Sequence, residues 1–311
     1  MTTLEPHLPG ATSGGLDSQP TDGFTAPEQQ SRWRAVVRTF AANKLALVGI
    51  TVVVLMFGFC FLGPVFYHTD QIHTNLAQVT LPPGPGHPLG TDSVGYDELG
   101  RLMVGGRTSL TVGLAAAVVA TLLGALWGAL SGYIGGFVDA VLMRFVDVLL
   151  SIPTLFLLLF MASVFKPSKT ELILVIAGVS WLVTSRLVRG EVLTLKVREY
   201  VSAAGLMGGS HAYRLFRHVL PNAVGTLAVN VTFQVADSIL LLASMSYLGL
   251  GVQAPDTDWG GMLSDGVNYS YSGYWWLIYP AGLAIVVTVI AFNFIGDALR
   301  DALESRLRSR T

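Results

Sequence analysis

Six apolar segments constrain this chain more than any other feature, each close to the roughly 20 residues that cross a hydrocarbon core of about 30 Å. They cover 45–66, 108–133, 148–165, 172–188, 223–249 and 276–295. The third is the least regular, because Asp147 and Pro153 crowd its start. Composition agrees. Charged residues make up 13% of the 311 residues and hydrophobic ones 52%, with a mean hydropathy of +0.57, whereas a soluble domain carries roughly 25% charged residues. The expectation is an all-α membrane protein with six transmembrane helices.

The 19 cations test how the spans are threaded. Fifteen fall on one side: Arg32, Arg34, Arg38 and Lys44, then Arg144, then Arg186, Arg189, Lys196, Arg198, Arg214 and Arg217, then Arg300, Arg306, Arg308 and Arg310. The other side holds Arg101, Arg107, Lys166 and Lys169. The positive-inside bias places both termini in the cytoplasm. The segment 252–275 then lies outside, with Asp256, Asp258 and Asp265 but no cation. Tyr269, Tyr271, Tyr274, Trp275 and Trp276 mark the outer interface, where amphipathic rings sit. Residues 1–31 have no Lys or Arg and no apolar period, and read as a disordered cytoplasmic tail. The first apolar stretch begins too far in, and runs too long, for a cleaved signal.

Several function classes fall away. The lone Cys60 excludes a disulfide scaffold or a Cys-ligated zinc site within the chain. A net charge of -1 and a pI near 6.6 argue against nucleic acid as a partner. No G-x-x-x-x-G-K-[ST] occurs, and the small cluster Gly208-Gly209-Ser210 continues into His211 and Ala212 without a phosphate-binding Lys. Any nucleotide hydrolysis belongs to another chain.

The connection between the fourth and fifth spans, 189–222, exceeds 30 residues. It combines helix formers with the small residues Ala203, Ala204, Gly205 and Gly208, and then turns basic and apolar through Tyr213, Arg214, Phe216, Arg217, Val219 and Leu220. Such a stretch suits a short helix lying in the membrane plane and offering a contact to a cytosolic partner, though an ordinary surface helix has a similar composition.

The stretch Tyr200-Val-Ser-Ala-Ala-Gly-Leu-Met-Gly208 with Leu220-Pro221-Asn222 resembles the EAA loop of binding-protein-dependent ABC importer permeases. Three other stretches resemble the C-type subunit of the dipeptide, oligopeptide and nickel importers: His87-Pro-Leu-Gly-Thr-Asp92 through Arg107-Thr-Ser-Leu110; Tyr247-Leu-Gly-Leu-Gly251 with Pro255, Trp259 and Gly260; and Asn293-Phe-Ile-Gly-Asp-Ala-Leu-Arg-Asp301. Ser202 stands where that family usually has Glu, Leu242 where it has another Glu, and Glu304-Ser305 where it has Asp-Pro.

The resemblance implies a type I ABC importer permease fold with a cytoplasmic coupling helix. Residues 32–107 would hold the first transmembrane helix and an external loop, 108–303 a five-helix core, and 304–311 a cytoplasmic tail. It implies ATPase coupling through Tyr200, Val201, Ser202, Ala203, Ala204, Gly205, Leu206, Met207, Gly208, Leu220 and Pro221. It also implies a heterodimer with a B-type permease, two ATP-binding subunits or domains carrying ATP and Mg, and an extracytoplasmic peptide-binding protein, with no cofactor on this chain. Dipeptides, longer peptides and nickel all remain open as cargo. His68, His73 and His87 fit no metal-ligand spacing and read as loop histidines. A six-span channel or scaffold without energy input is the competing class, and it has no evident use for the 189–222 loop. The segments around 87–107 and 252–275 are candidates for meeting the binding protein.

One acid lies within a span. Asp237 in the fifth segment costs about 2.5–3.5 kcal/mol to insert, so it is expected to face a translocation path or a neighbouring hydroxyl.

Overall fold

Asn43 begins the first span by capping it: its side-chain oxygen accepts the N–H groups of Leu45 (2.9 Å) and Ala46 (3.4 Å) in the computed structural model, which describes residues 32–164 and 168–308. The expected tail 1–31 and the last residue of the third apolar segment lie outside the described residues. α1 (Arg32–Ala42) precedes the cap and α2 (Lys44–Phe66) follows it. Val54, Leu55 and Leu62 of α2 are all exposed, as expected of a helix that is apolar all round and meets lipid.

The remaining helices are α3 (Glu98–Ile134), α4 (Gly136–Leu150), α5 (Thr154–Val164), α6 (Lys169–Leu195), α7 (Glu199–Leu206), α8 (His211–Arg214), α9 (Leu220–Tyr247), α10 (Trp259–Val267) and α11 (Tyr279–Arg308). No strand forms among the described residues; two isolated bridges, Gly84 to His87 and Thr91 to Asp97, tighten the α2–α3 connection. Five helical stretches are long and apolar enough to cross a membrane.

The third segment is not the single straight span expected over 148–165. Its place is taken by α4 and α5, which bend by 89° at Ser151-Ile152-Pro153 and together have the length and composition of a sixth span, either broken at this bend or re-entrant. Pro153 supplies the cause, since it lacks an N–H and pushes Ile152 out of the helical region. α4 also begins at Gly136, twelve residues before the expected boundary.

α3 and α6 form the central pair, with Gly124, Gly128 and Gly132 of α3 turned toward α6. A Cβ at Gly128 would stand 2.3 Å from the Ser185 carbonyl oxygen and 2.9 Å from the Arg189 nitrogen. Within lipid, close backbone approach at small residues replaces the hydrophobic effect as the force between helices. At one end of this pair Arg189 binds Asp139 of α4 through Nε (2.5 Å) and Nη2 (2.6 Å), and Ser131 also donates to Asp139. Arg186 pairs with Asp147 at 2.5 Å, and Lys196 Nζ donates to the Gly132 carbonyl at 2.7 Å.

Three buried clusters follow. Trp259, Leu110, Ile239 and Phe292 join α3, α9, α10 and α11. Leu158, Ile176, Leu242 and Met245 join α5, α6 and α9. Ala129, Val188, Val192, Val201, Leu215 and Val219 join the ends of α3 and α6 to the α7–α9 connection.

Candidate functional site

α7 stands on the third cluster through two residues. Val201 and Ala204, three apart on one helical face, are 1% and 5% exposed. Ser202, Ala203, Leu206, Met207 and Gly208 face outward, with Leu206 92% and Met207 82% exposed. The small residues therefore divide between two faces: Ala204 lets α7 lie close to the bundle, and Ala203 with Ser202 leaves the outer face low beside an apolar tip. Ser202, where the resemblance would put a Glu, is exposed.

The helix stops by a specific device. Gly208 has φ +85°, its N–H bonds the Gly205 carbonyl (3.0 Å), and the Gly209 N–H bonds the Ala204 carbonyl (2.9 Å). This is the paired bonding of a Schellman motif, in which glycine takes the left-handed position. Gly208 thus serves the helix stop, and nothing lies within 4 Å of a Cβ placed there. At Gly205 a Cβ would come within 2.8 Å of Arg214 Nη1, the mobile end of a side chain that can shift aside.

Ser210 caps α8 by accepting the Tyr213 N–H at 3.2 Å. A π-helical turn, Leu215–Val219, then leads into α9, with the Leu220 N–H bonded to the Leu215 carbonyl five residues back. Pro221 explains the wide turn, because its ring would collide with the carbonyl four residues before it in a regular helix and it has no N–H to give. Asn222 Nδ2 donates to the His218 carbonyl at 2.5 Å. The rings of Tyr200 and Tyr213 both pack on His218, at 6.4 and 5.4 Å between centroids. These contacts tie α7 to the start of a spanning helix. Arg214, His218 and the π turn were not singled out as anchors from sequence, although Leu-Pro after a basic stretch was the available signal.

At the opposite end of the bundle the two expected outer segments meet each other. Arg101 Nη1 donates to the Pro255 carbonyl (2.8 Å), Trp259 Nε1 to the Leu102 carbonyl (3.0 Å), and Trp276 Nε1 to the Thr91 carbonyl (3.3 Å). The segment 252–275 is more than a loop, since it contains α10, with Trp259 fully buried. Asp258 caps α10 by accepting the N–H groups of Gly260 and Gly261, at 2.8 and 3.1 Å, and also binds the Ser246 hydroxyl at 2.8 Å. Burial nevertheless pushes the Asp258 carboxyl above its ordinary range, against these hydrogen bonds. His87 Nδ1 lies 2.8 Å from Asp97, which also accepts from the Tyr67 hydroxyl at 2.9 Å, and His73 lies 2.9 Å from Asp70.

Asp237 sits on an exposed face of α9 with no hydrogen bond or ion pair to a described residue. Leu242, one of the departures from the family pattern, is fully buried in the second cluster.

The described residues form a helical bundle of membrane-spanning length with a short, capped and partly exposed helix at one end. Residues 109–309 match the family described as binding-protein-dependent transport system inner membrane component, and residues 31–83 match the N-terminal TM domain of oligopeptide transport permease C. The chain belongs to this family of binding-protein-dependent transport permeases. It is 43% identical over 283 residues to the oligopeptide transport system permease protein OppC of Escherichia coli (strain K12), covering 90% of this chain and 93% of the relative. The corresponding OppC of Bacillus subtilis (strain 168) is 40% identical over 278 residues, covering 89% and 91%. The dipeptide transport system permease protein DppC of the same organism is 35% identical over 279 residues, covering 90% and 86%.

Proposed function

We propose that this chain is the C-type, pore-forming permease subunit of an ATP-driven importer that moves dipeptides or oligopeptides into the cytoplasm by alternating access. The observation that carries the reading is α7, a helix buried on Val201 and Ala204 and exposed at Leu206 and Met207. An apolar tip on a firmly seated short helix suits a groove in a partner. That partner is one of two ATP-binding subunits or domains, where ATP and Mg are held; this chain needs no cofactor of its own. A B-type permease completes the path, and a peptide-binding protein delivers cargo to the end formed by α10 and the start of α3. Both termini face the cytoplasm, on the side of α7. The peptide cargo rests on the names of the relatives.

Mechanically, Tyr200–Gly208 with Leu220 and Pro221 form the coupling element. Closure of the ATPases displaces α7, and the His218 contacts and π turn carry the movement into α9. Nucleotide at one end and loaded binding protein at the other bias one two-state equilibrium. Asp237 lines the path, and Asp237→Asn changes peptide uptake or preference; an Asp237→Asn complex with the wild-type uptake profile would remove that role.

The deciding experiment purifies the tagged chain in detergent, identifies accompanying subunits by mass spectrometry, and measures ATPase activity. A second permease and P-loop ATPases, stimulated by binding protein plus peptide, are expected. Ala204→Trp should insert normally and lose at least tenfold of that stimulation, as should the surface variant Leu206→Asp. Full stimulation in both variants, or solute conduction by the isolated chain without nucleotide, overturns the reading.

A further inference from the structure

Between the start of α3 and α10, at the end of the bundle remote from α7, lies a small cleft open to solvent, with an enclosed space of about 10 Å³. Asp92, Glu98, Arg101, Met262, Asp265 and Tyr269 line it. Three carboxylates therefore share one guanidinium. α3 is 37 residues long, about 55 Å at 1.5 Å per residue, so its first turns extend past a hydrocarbon core of about 30 Å.

Asp92 and Arg101 already answer one another. Arg101 Nε stands 3.7 Å from Asp92 Oδ2, its Nη1 donates to Pro255, and its guanidinium lies 4.3 Å from the Tyr96 ring centroid. The other Asp92 oxygen accepts the N–H groups of Val94 and Tyr96. Glu98 and Asp265 are left over. Neither carboxylate has a hydrogen bond or ion pair to a described residue; Glu98 is only 3% exposed, whereas Asp265 is exposed at the mouth. Burial above all, and then the charges of Asp92, Asp97 and Asp265, push the Glu98 carboxyl well above its ordinary range against the pull of Arg101, so it holds its proton until a cation offsets that cost. A buried carboxylate without a partner is costly, and its cost falls when a cation enters.

The shape limits which cation. Among the described residues no group of three or more His, Cys, Asp or Glu is arranged to hold a metal ion. The enclosed space has room for roughly one water-sized group, so it suits an ammonium head rather than a whole solute. Met262 and Tyr269 supply apolar wall beside the acids. An ammonium offers three donors and no acceptor, which suits two carboxylates that lack donors.

We propose that this cavity is a binding site for a primary ammonium group, held between Glu98 and Asp265. Two sources carry that chemistry: the amino terminus of a transported peptide and a lysine of the protein that docks on this face. The sources rest on the proposed importer function, whereas the cavity's chemistry does not.

The test uses the assembled complex in lipid nanodiscs and titrates n-butylammonium, with tetramethylammonium as a control of equal charge that cannot donate. Saturation-transfer NMR should show saturable n-butylammonium binding that weakens at least tenfold in Glu98→Gln and also in Asp265→Asn. Asp256→Asn, outside the cavity and paired with Lys169, should bind as wild type does. Equal binding in wild type and Glu98→Gln, or equal saturation by tetramethylammonium, overturns the site. Peptide-stimulated ATPase activity then separates the sources. A defect of Glu98→Gln confined to peptides with a free amino terminus, absent for N-acetylated ones, assigns the peptide; a defect with both assigns the docking lysine. A complex without stimulated ATPase activity would count against the importer reading while the n-butylammonium result still judged the cavity.

Discussion

At Gly208 the backbone decides which residue can stand, because there is open space around it and φ is +85°. An L-residue there costs about 1–2 kcal/mol, so Gly208→Ala should fray the end of α7, visible as faster amide exchange at Gly208 and Gly209. Leu242 presents the opposite case. It is wholly enclosed by apolar neighbours, and Leu242→Glu is expected to lower the melting temperature of the purified complex, since an uncompensated buried acid is among the most destabilising single changes. The sequence showed that Leu242 departs from the family pattern; that its surroundings are closed to an acid is a matter of tertiary packing.

Asp258 carries a pH dependence of defined sign. Its carboxyl is raised by burial, so the folded state binds the proton more tightly than the unfolded chain does. The stabilising contribution of the protonated form is complete below the unfolded value of about 3.9 and is lost as pH rises through the raised folded value. Thermal melts taken from pH 7 down to about pH 4 should therefore show wild type gaining on Asp258→Asn as the medium is acidified. A constant difference between the two across that range would contradict the assignment.

Among the elements, the α3–α6 pair is held by close approach rather than by large side chains. Gly128→Val places a branched side chain against the Ser185 carbonyl and should cost about 1–3 kcal/mol by overpacking, read as reduced melting temperature and reduced yield of assembled complex. The glycines were visible in the sequence, but their partners on α6 lie more than fifty residues away. The break between α4 and α5 was half legible: Pro153 stood at the start of the third segment, yet an apolar run gives no sign of an 89° bend. α10 was missed because nine residues with a buried Trp259 read as part of an outer loop. Its signal was present in Asp258 ahead of Trp259-Gly-Gly, an N-cap preceding residues 259, 262 and 266, which are all buried.

For the whole molecule, exposed apolar side chains on several helices require either lipid or a second subunit. Leu122, Leu126 and Leu130 of α3 and Leu240 of α9 are all more than 40% exposed. Under the proposed assembly, some of this surface is expected to lie against the second permease subunit. Cysteine cross-linking from Leu126 and Leu240 in membranes should capture that subunit at one of the two positions; lipid-only surroundings at both would place the interface elsewhere.

The sequence by itself determined the class: spans of membrane length, an asymmetric distribution of cations, and motifs that lead to a permease family. These follow from local quantities, because transfer into lipid adds up along a contiguous segment and a motif is a contiguous string. Only the tertiary structure decided the bend in the third segment, the buried α10, the anchoring of α7 through Val201, Ala204 and His218, and the two carboxylates at Glu98 and Asp265 left without partners. Each of these depends on which distant residues come within a few ångströms, a relation that residue order does not state.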